Sequence, residues 1–163
     1  MGFHILTNPG YHRDPDNFPG LSPYEKEMRR RIWAHVWQID TLYSFSLGLP
    51  SAVSNSKFDV AEPRNLYEEE LYESMIELPQ GHSSEVMTPI SYTIAKLAIL
   101  KGLSAVVEHL NSVVEHTYSE VVQMNEQLAI ALEKVPSFLR IKSWAESASD
   151  PKPLRLQRLQ IRM

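Results

Sequence analysis

The stretch SPYEKEMRRRIWAHVWQIDTLYSFSLGLP, Ser22 to Pro50, decides the fold class. Ser22, Pro23 and Glu25 write a helix start: a hydroxyl to cap the free amides, a proline where no amide is needed, and a glutamate placed to reach back to the cap. Met28, Ile32, Val36 (or His35), Ile39 and Tyr43 then recur at three- and four-residue spacing, which stacks them on one face and predicts that this face meets a core. Gly48 supplies a stop, with Pro50 behind it, so a helix over about 22–47 is expected. Glu25–Arg29 and Glu27–Arg31 have the favourable i,i+4 order, about 0.2–0.5 kcal/mol each when exposed, and support the helix without defining a site.

Outward from this helix the chain alternates irregular and helical stretches. Residues 7–23 carry Pro9, Gly10, Asp14, Pro15, Pro19, Gly20 and Pro23, which breaks any regular element. Gly48 to Leu66 loses helical period and reads as a long connection, a length that is uncommon unless anchored or functional. A short acidic helix is expected around Tyr67 to Ser74, and another irregular stretch through Pro79 and Gly81. Thr88-Pro89 repeats the cap-then-proline signal; Tyr92, Ala95, Ile99, Leu103, Val106, Leu110 and Val113 predict a buried helix over about 89–114. Val121, Met124, Leu128, Ala131 (or Leu132) and Val135 make a third stripe over 118–135, closed by Pro136. Beyond a linker at 150–153, Leu156, Leu159 and Met163 mark the opening of a helix from about 154 that is cut short. The expectation is an all-α, irregular multi-helix array with long loops, and an incomplete domain.

Composition narrows the function. The chain has 163 residues, 43% hydrophobic and 22% charged, an ordinary globular balance that can bury a core. Its net charge of −4 gives no positive field to gather nucleic acid. With no cysteine, disulfides, thiolate zinc sites and cysteine nucleophiles are excluded together. Lys96, Lys101 and Glu108 interrupt the longest apolar run, so no membrane span is expected. Gly-x-Ser-x-Gly, Gly-x-Gly-x-x-Gly and the phosphate-binding Gly-x-x-x-x-Gly-Lys-Ser/Thr are all missing, and no catalytic residue is assigned.

Gly10-Tyr11-His12-Arg13-Asp14-Pro15, Ser22-Pro23, Glu27-Met28-Arg29-Arg30-Arg31-Ile32-Trp33, Asp40, Gly48-Leu49-Pro50, Asp59 and Pro63-Arg64-Asn65-Leu66 stand in an order and spacing that resembles the regulatory middle homology region of fungal zinc-cluster transcription factors. Residues 88–110 and Val135-Pro136-Ser137-Phe138-Leu139-Arg140 resemble its continuation. One departure is Ala34, where the family often carries a second tryptophan. The signature residues carried over are His12, Arg13, Asp14, Arg29, Arg30, Arg31, Trp33, Asp40, Gly48, Pro50, Asp59, Pro63 and Asn65. The resemblance implies a nuclear regulator of RNA polymerase II transcription. Zinc and DNA would be bound only by an N-terminal module of six cysteines that this chain lacks. A small-molecule inducer or co-regulator protein would be the partner, with dimerisation in the full-length protein, and this chain would be a fragment without a cofactor of its own.

Weighed residue by residue, structural readings lead. His12, Arg13 and Asp14 read as a polar cluster closing on Arg29 to Arg31, with a ligand contact as the rival. Trp33 and Trp37, four apart, read as core anchors ahead of an inducer site. His109 and His116, beside Glu108 and Glu115, lack the four-residue spacing of a helical zinc pair. Asp14-x-Asp16 and Glu68-Glu69-Glu70 read as acidic surface, and Lys152, Arg155, Arg158 and Arg162 as a solvated helix face. The functional alternatives are a helical protein-interaction scaffold without ligand or DNA binding, and a helical enzyme with an acid and base converging in a pocket.

Overall fold

A computed structural model describes residues 10–53, 57–114 and 117–161. The start at Ser22 forms as the sequence writes it. Helix α1, Pro23–Leu47, opens with a reciprocal capping box: Glu25 N donates to Ser22 Oγ at 3.2 Å and Ser22 N to Glu25 Oε2 at 2.8 Å. It ends at Gly48, whose φ of +64° a side chain would strain, and the amides of Gly48 and Leu49 turn back onto Phe45 and Ser44 carbonyls.

Among the described residues four further helices follow: α2, Ser91–Leu110; α3, Tyr118–Glu133; α4, Trp144–Ser147; and α5, Lys152–Ile161. Single 3₁₀ turns stand at Pro15–Asn17, Glu68–Glu70 and Ser137–Leu139. Among the described residues there is no strand, so the fold is all-α. Helix α2 is central and packs on α1, α3 and α5. One core joins Trp33, Ala34 and Trp37 of α1 to Val53 and to Leu97 of α2, with Tyr11, Phe58 and Val60 against it. A second joins Ala95 of α2 to Val135, Leu139, Leu154 and Ile161.

The faces differ from the periodic reading. In α1 the covered side is Glu27, Arg30, Trp33, Ala34, Trp37, Thr41 and Ser44, while Ile32, Ile39 and Tyr43 stay exposed and Met28 and Val36 are half-buried. The helix is apolar on two sides, and the larger indoles take the one that α2 covers. Helix α2 is likewise two-sided: Leu97, Leu100, Ser104 and Val107 lie deepest, and Tyr92, Ala95 and Ile99 serve the second core. Leu110 and Val113 are exposed because the helix stops at Leu110, where Asn111 turns its amide and side chain onto the Val107 carbonyl. Helix α3 has no buried residue; Met124, Leu128 and Ala131 are half-buried and Val121 is exposed. In α5 the covered residues are Leu154, Arg158 and Ile161, and Leu156 and Leu159 face outward.

Arg158 therefore leaves the solvated face expected of it. Its guanidinium donates to the Phe138 carbonyl at 2.6 Å and pairs with Asp150, a buried charge that ties α5 to the Ser137–Leu139 turn. Helix α2 begins at Ser91 rather than Pro89, because Thr88 is occupied elsewhere. The acidic stretch at 67–74 makes one 3₁₀ turn, and α4 was readable from its Ser143/Glu146 capping box. Glu115, His116, Arg162 and Met163 lie outside the described residues. Of the other two members of the His/Glu set, Glu108 is exposed and His109 half-buried.

At Gly102 helix α2 comes close to α3: a Cβ there would stand 3.2 Å from Leu128 Cδ1 and 3.6 Å from its Cα. Gly102→Val should overfill this contact and cost about 1–3 kcal/mol, read as a lower urea midpoint at unchanged slope. An unchanged midpoint would show that α3 yields freely.

Candidate functional site

Asp14 is the point where three segments meet. Residues 10–23 cannot hold a shape through regular hydrogen bonding, so side chains must do it. Asp14 Oδ1 accepts from the Asp16 amide at 2.9 Å and Arg30 Nη2 at 2.8 Å; Oδ2 accepts from Arg30 Nε at 3.2 Å and the Ala61 amide at 2.8 Å. Asp59 reciprocates from the long connection: Oδ1 takes the Asp14 amide at 2.6 Å, and Oδ2 takes Arg13 Nε at 3.0 Å and Asn17 Nδ2 at 3.3 Å. The Asp59 amide donates to the His12 carbonyl at 3.2 Å. His12, Arg13, Asp14, Arg30 and Asp59 are thus one clasp joining the N-terminal loop, α1 and the connection.

Three consecutive arginines serve three directions because helical residues step about 100° around the axis. Arg29 lies over the Tyr11 ring, 4.9 Å from its centroid, and near Phe18. Arg30 grips Asp14 and also Asp16, which Lys26 holds from the other side. Arg31 pairs with Glu27 at 3.0 Å and points Nη2 to the Leu66 carbonyl at 3.5 Å. The Glu27–Arg31 pair is buried, not exposed: Glu27 is 0% accessible, and its Oε1 also accepts the Arg64 amide at 3.1 Å. Glu25 turns its carboxylate onto the cap.

Asn65 anchors the next point with every hydrogen-bonding position used. Its Nδ2 donates to the carbonyls of Ser83 and Val86, and its Oδ1 lies 2.6 Å from Thr88 Oγ1 and 2.9 Å from Ser91 Oγ. Glu27 and Arg31 hold 64–66 to the start of α1 while Asn65 holds the start of α2, so both helices begin from one strap. Pro63 is buried in that strap. At the other end of α1, Asp40 Oδ2 accepts Ser51 Oγ at 2.5 Å and the Val53 amide at 3.0 Å, beyond the exposed Gly48-Leu49-Pro50 turn. Trp33 sits between the two ends, in the core with Trp37; both rings lie against Phe58, at 5.5 and 5.0 Å.

The charges follow from this geometry. Burial raises the Asp14 carboxyl, but hydrogen bonds from Arg30, Ala61 and Asp16 outweigh it and hold the group down at about 2. Glu27 goes the other way: burial raises it, and Arg31 and the Arg64 amide offset only part. All four oxygens of Asp14 and Asp59 are engaged, which suits a fixed joint rather than proton transfer. Asp14 is accordingly no simple acidic surface. Asp16, Glu27, Arg64 and Thr88 belong to this network beyond the carried-over signature residues. Their only forward signal was position, at helix-turn spacing from the arginines or beside a proline.

Two outcomes test the network. Asp14 has a folded-state pKa below its ordinary 3.8, so its contribution is complete above about pH 4 and drains away as pH falls toward 2. The wild-type minus Asp14→Asn difference in unfolding free energy should shrink over that window, and a pH-independent difference would refute the assignment. Asn65→Asp removes both Nδ2 donations and should cost about 2–3 kcal/mol in urea melts at pH 7; a cost under ~0.5 kcal/mol would contradict the strap.

The model of the fungal specific transcription factor domain matches residues 3–149. The chain is 38% identical over 150 residues to the pyrrolocin cluster transcription factor fsdR of Fungal sp. (strain NRRL 50135), covering 92% of this chain and 19% of that protein. It is 38% identical over 152 residues to the Zn(2)-C6 fungal-type transcription factor pigI of Monascus ruber, covering 93% and 19%. It is 38% identical over 136 residues to the transcription factor phm2 of Pyrenochaetopsis sp, covering 83% and 18%. The chain spans about a fifth of the length of these curated relatives. No solved structure matches. On a domain match running through the clasp, the strap and the core around Trp33, Trp37 and Leu97, the chain belongs to the fungal specific transcription factor domain family.

Proposed function

We propose that this chain is the regulatory segment of a nuclear, non-enzymatic transcription factor acting on RNA polymerase II genes. The observation that carries the reading is the family match over residues 3–149. The relatives' names point the same way: fsdR and phm2 are named transcription factors, and pigI a zinc-cluster one.

Zinc and DNA belong elsewhere in such a protein. A six-cysteine zinc cluster needs thiolates, and this chain has none; among the described residues no group of three His, Asp or Glu side chains could hold a metal. The net charge of −4 argues against a DNA-facing surface here. Regulation then reaches transcription through the conformation of the helical array, and an effector shifts it only by binding two conformations unequally.

The scaffold reading has one observation in its favour. Ile39, Tyr43 and Leu47 of α1 are 57%, 66% and 64% exposed, an apolar side a protein partner would cover. Fused to a heterologous DNA-binding module, the chain should change reporter transcription several-fold relative to the module alone, at matched protein level. Arg30→Ala should abolish the change, whereas equal output from fusion and module would overturn the regulatory reading. Ile39→Glu should leave folding intact and reduce the effect if a partner seats on that side; an undiminished effect excludes that partner.

A further inference from the structure

Between α5 and the chain that leads through α4 lies a cleft of about 120 Å³, lined by Ile141, Lys142, Ser147, Arg155, Arg158 and Leu159. Three of its six residues are cations. Arg158 is the fixed one: its side chain is 4% accessible, Nε donates to the Phe138 carbonyl and Nη1 to Asp150. Its Nη2 is neither bonded among the described residues nor sealed from solvent. Arg155 is half-buried and Lys142 exposed, and among the described residues neither side chain has a hydrogen bond or an ion pair.

The three charges converge. A hydrogen bond from Arg158 holds the Asp150 carboxyl below its usual range, and the charges of Arg158, Lys142 and Arg155 all act on it in the same direction. The carboxylates nearby are committed: Asp150 to Arg158, and Glu146 to the amide and hydroxyl of Ser143. Three cations against two carboxylates leave one positive charge over, with open N–H donors on the guanidinium of Arg155 and on Nη2 of Arg158. The remaining walls are Ile141, Leu159 and the carbon stems of Lys142 and Arg155. At roughly 30 Å³ per water the space equals about four waters, which admits a carboxylate with a short carbon chain and excludes a nucleotide or a polycyclic acid.

We propose that this cleft is a binding site for a short aliphatic monocarboxylate, its oxygens accepting from Arg158 Nη2, Arg155 and Lys142 and its chain lying on Ile141 and Leu159. An occupant joins α5 to residues 141–147 at the place where Arg158 already ties that helix to the Ser137–Leu139 turn. The site rests on the charges around Asp150 and stands whether or not the segment regulates transcription.

The test titrates the ¹⁵N-labelled 163-residue chain with sodium butyrate, with butyramide as its uncharged counterpart and with inorganic phosphate, all at constant ionic strength. The readouts are the arginine Nε–H resonances, that of Arg155 assigned from the Arg155→Gln spectrum, and the backbone amides of residues 155–159. Butyrate should shift them with a millimolar dissociation constant, at least tenfold tighter than butyramide. Arg155→Gln and Lys142→Gln should each weaken butyrate about tenfold, the worth of one charge-assisted hydrogen bond. Lys152→Gln removes the same charge from the exposed first residue of α5, outside the cleft, and should weaken it less than twofold. Silence toward butyrate, equal binding of butyrate and butyramide, or a loss in Lys152→Gln as large as in the other two variants would overturn the proposal. Phosphate binding as tightly as butyrate would overturn the assignment of a carboxylate with an apolar chain.

Discussion

The contact between Asp14 and Arg30 is the constraint on which the remainder depends. A loop of prolines and glycines has no repeating hydrogen bonds to fix it, and a connection of about forty residues between α1 and α2 is longer than a compact domain ordinarily leaves unpinned. One carboxylate solves both problems: it binds the helix through Arg30, the loop through Asp16 N and the connection through Ala61 N. Arg30 has 9% of its side chain accessible and Asp14 14%, so the pair is shielded from the screening that makes surface ion pairs weak. Removing either partner would strand a charge in a poorly hydrated place.

From that joint the architecture follows outward. With the loop and the 59–66 strap held against α1, Phe58 and Val60 lie against the Trp33–Trp37 face, which supplies an apolar surface for Leu97. Asn65 then fixes where α2 begins, and Glu85 reaches from the far side of the strap to the amide and hydroxyl of Ser137, drawing in the second core. Glu27 and Arg30, on the buried side of α1, are therefore the means by which irregular backbone is attached to this helix. Glu27 shows the cost: one oxygen accepts from Arg31 and Arg64, and the other is buried without a partner among the described residues.

What could be read from the sequence was whatever is encoded locally. The cap at Ser22, the stop at Gly48, the all-α class and the core placement of Trp33 and Trp37 rest on short-range rules, and each is present in the fold. The covered sides of α1 and α5 were misread because periodicity finds apolar faces without saying which is covered; both helices have two, and in α5 the side with a buried Arg158 was taken. Most of the clasp could be listed as a signature of residues without its geometry. Asp14 and Asp59 are 45 positions apart, and no spacing rule shows that Ala61 N and Arg30 converge on one carboxylate. Thr88 looked like a helix cap and is a buried partner of Asn65.

The central claim is that Asp14 and Arg30 act on each other and not merely on the same region. A double-mutant cycle with Asp14→Ala, Arg30→Ala and the double variant, read by urea unfolding at pH 7, measures this directly. The account predicts a coupling of about 2 kcal/mol, with the double variant scarcely less stable than either single one. Effects that add within about 0.5 kcal/mol would contradict it.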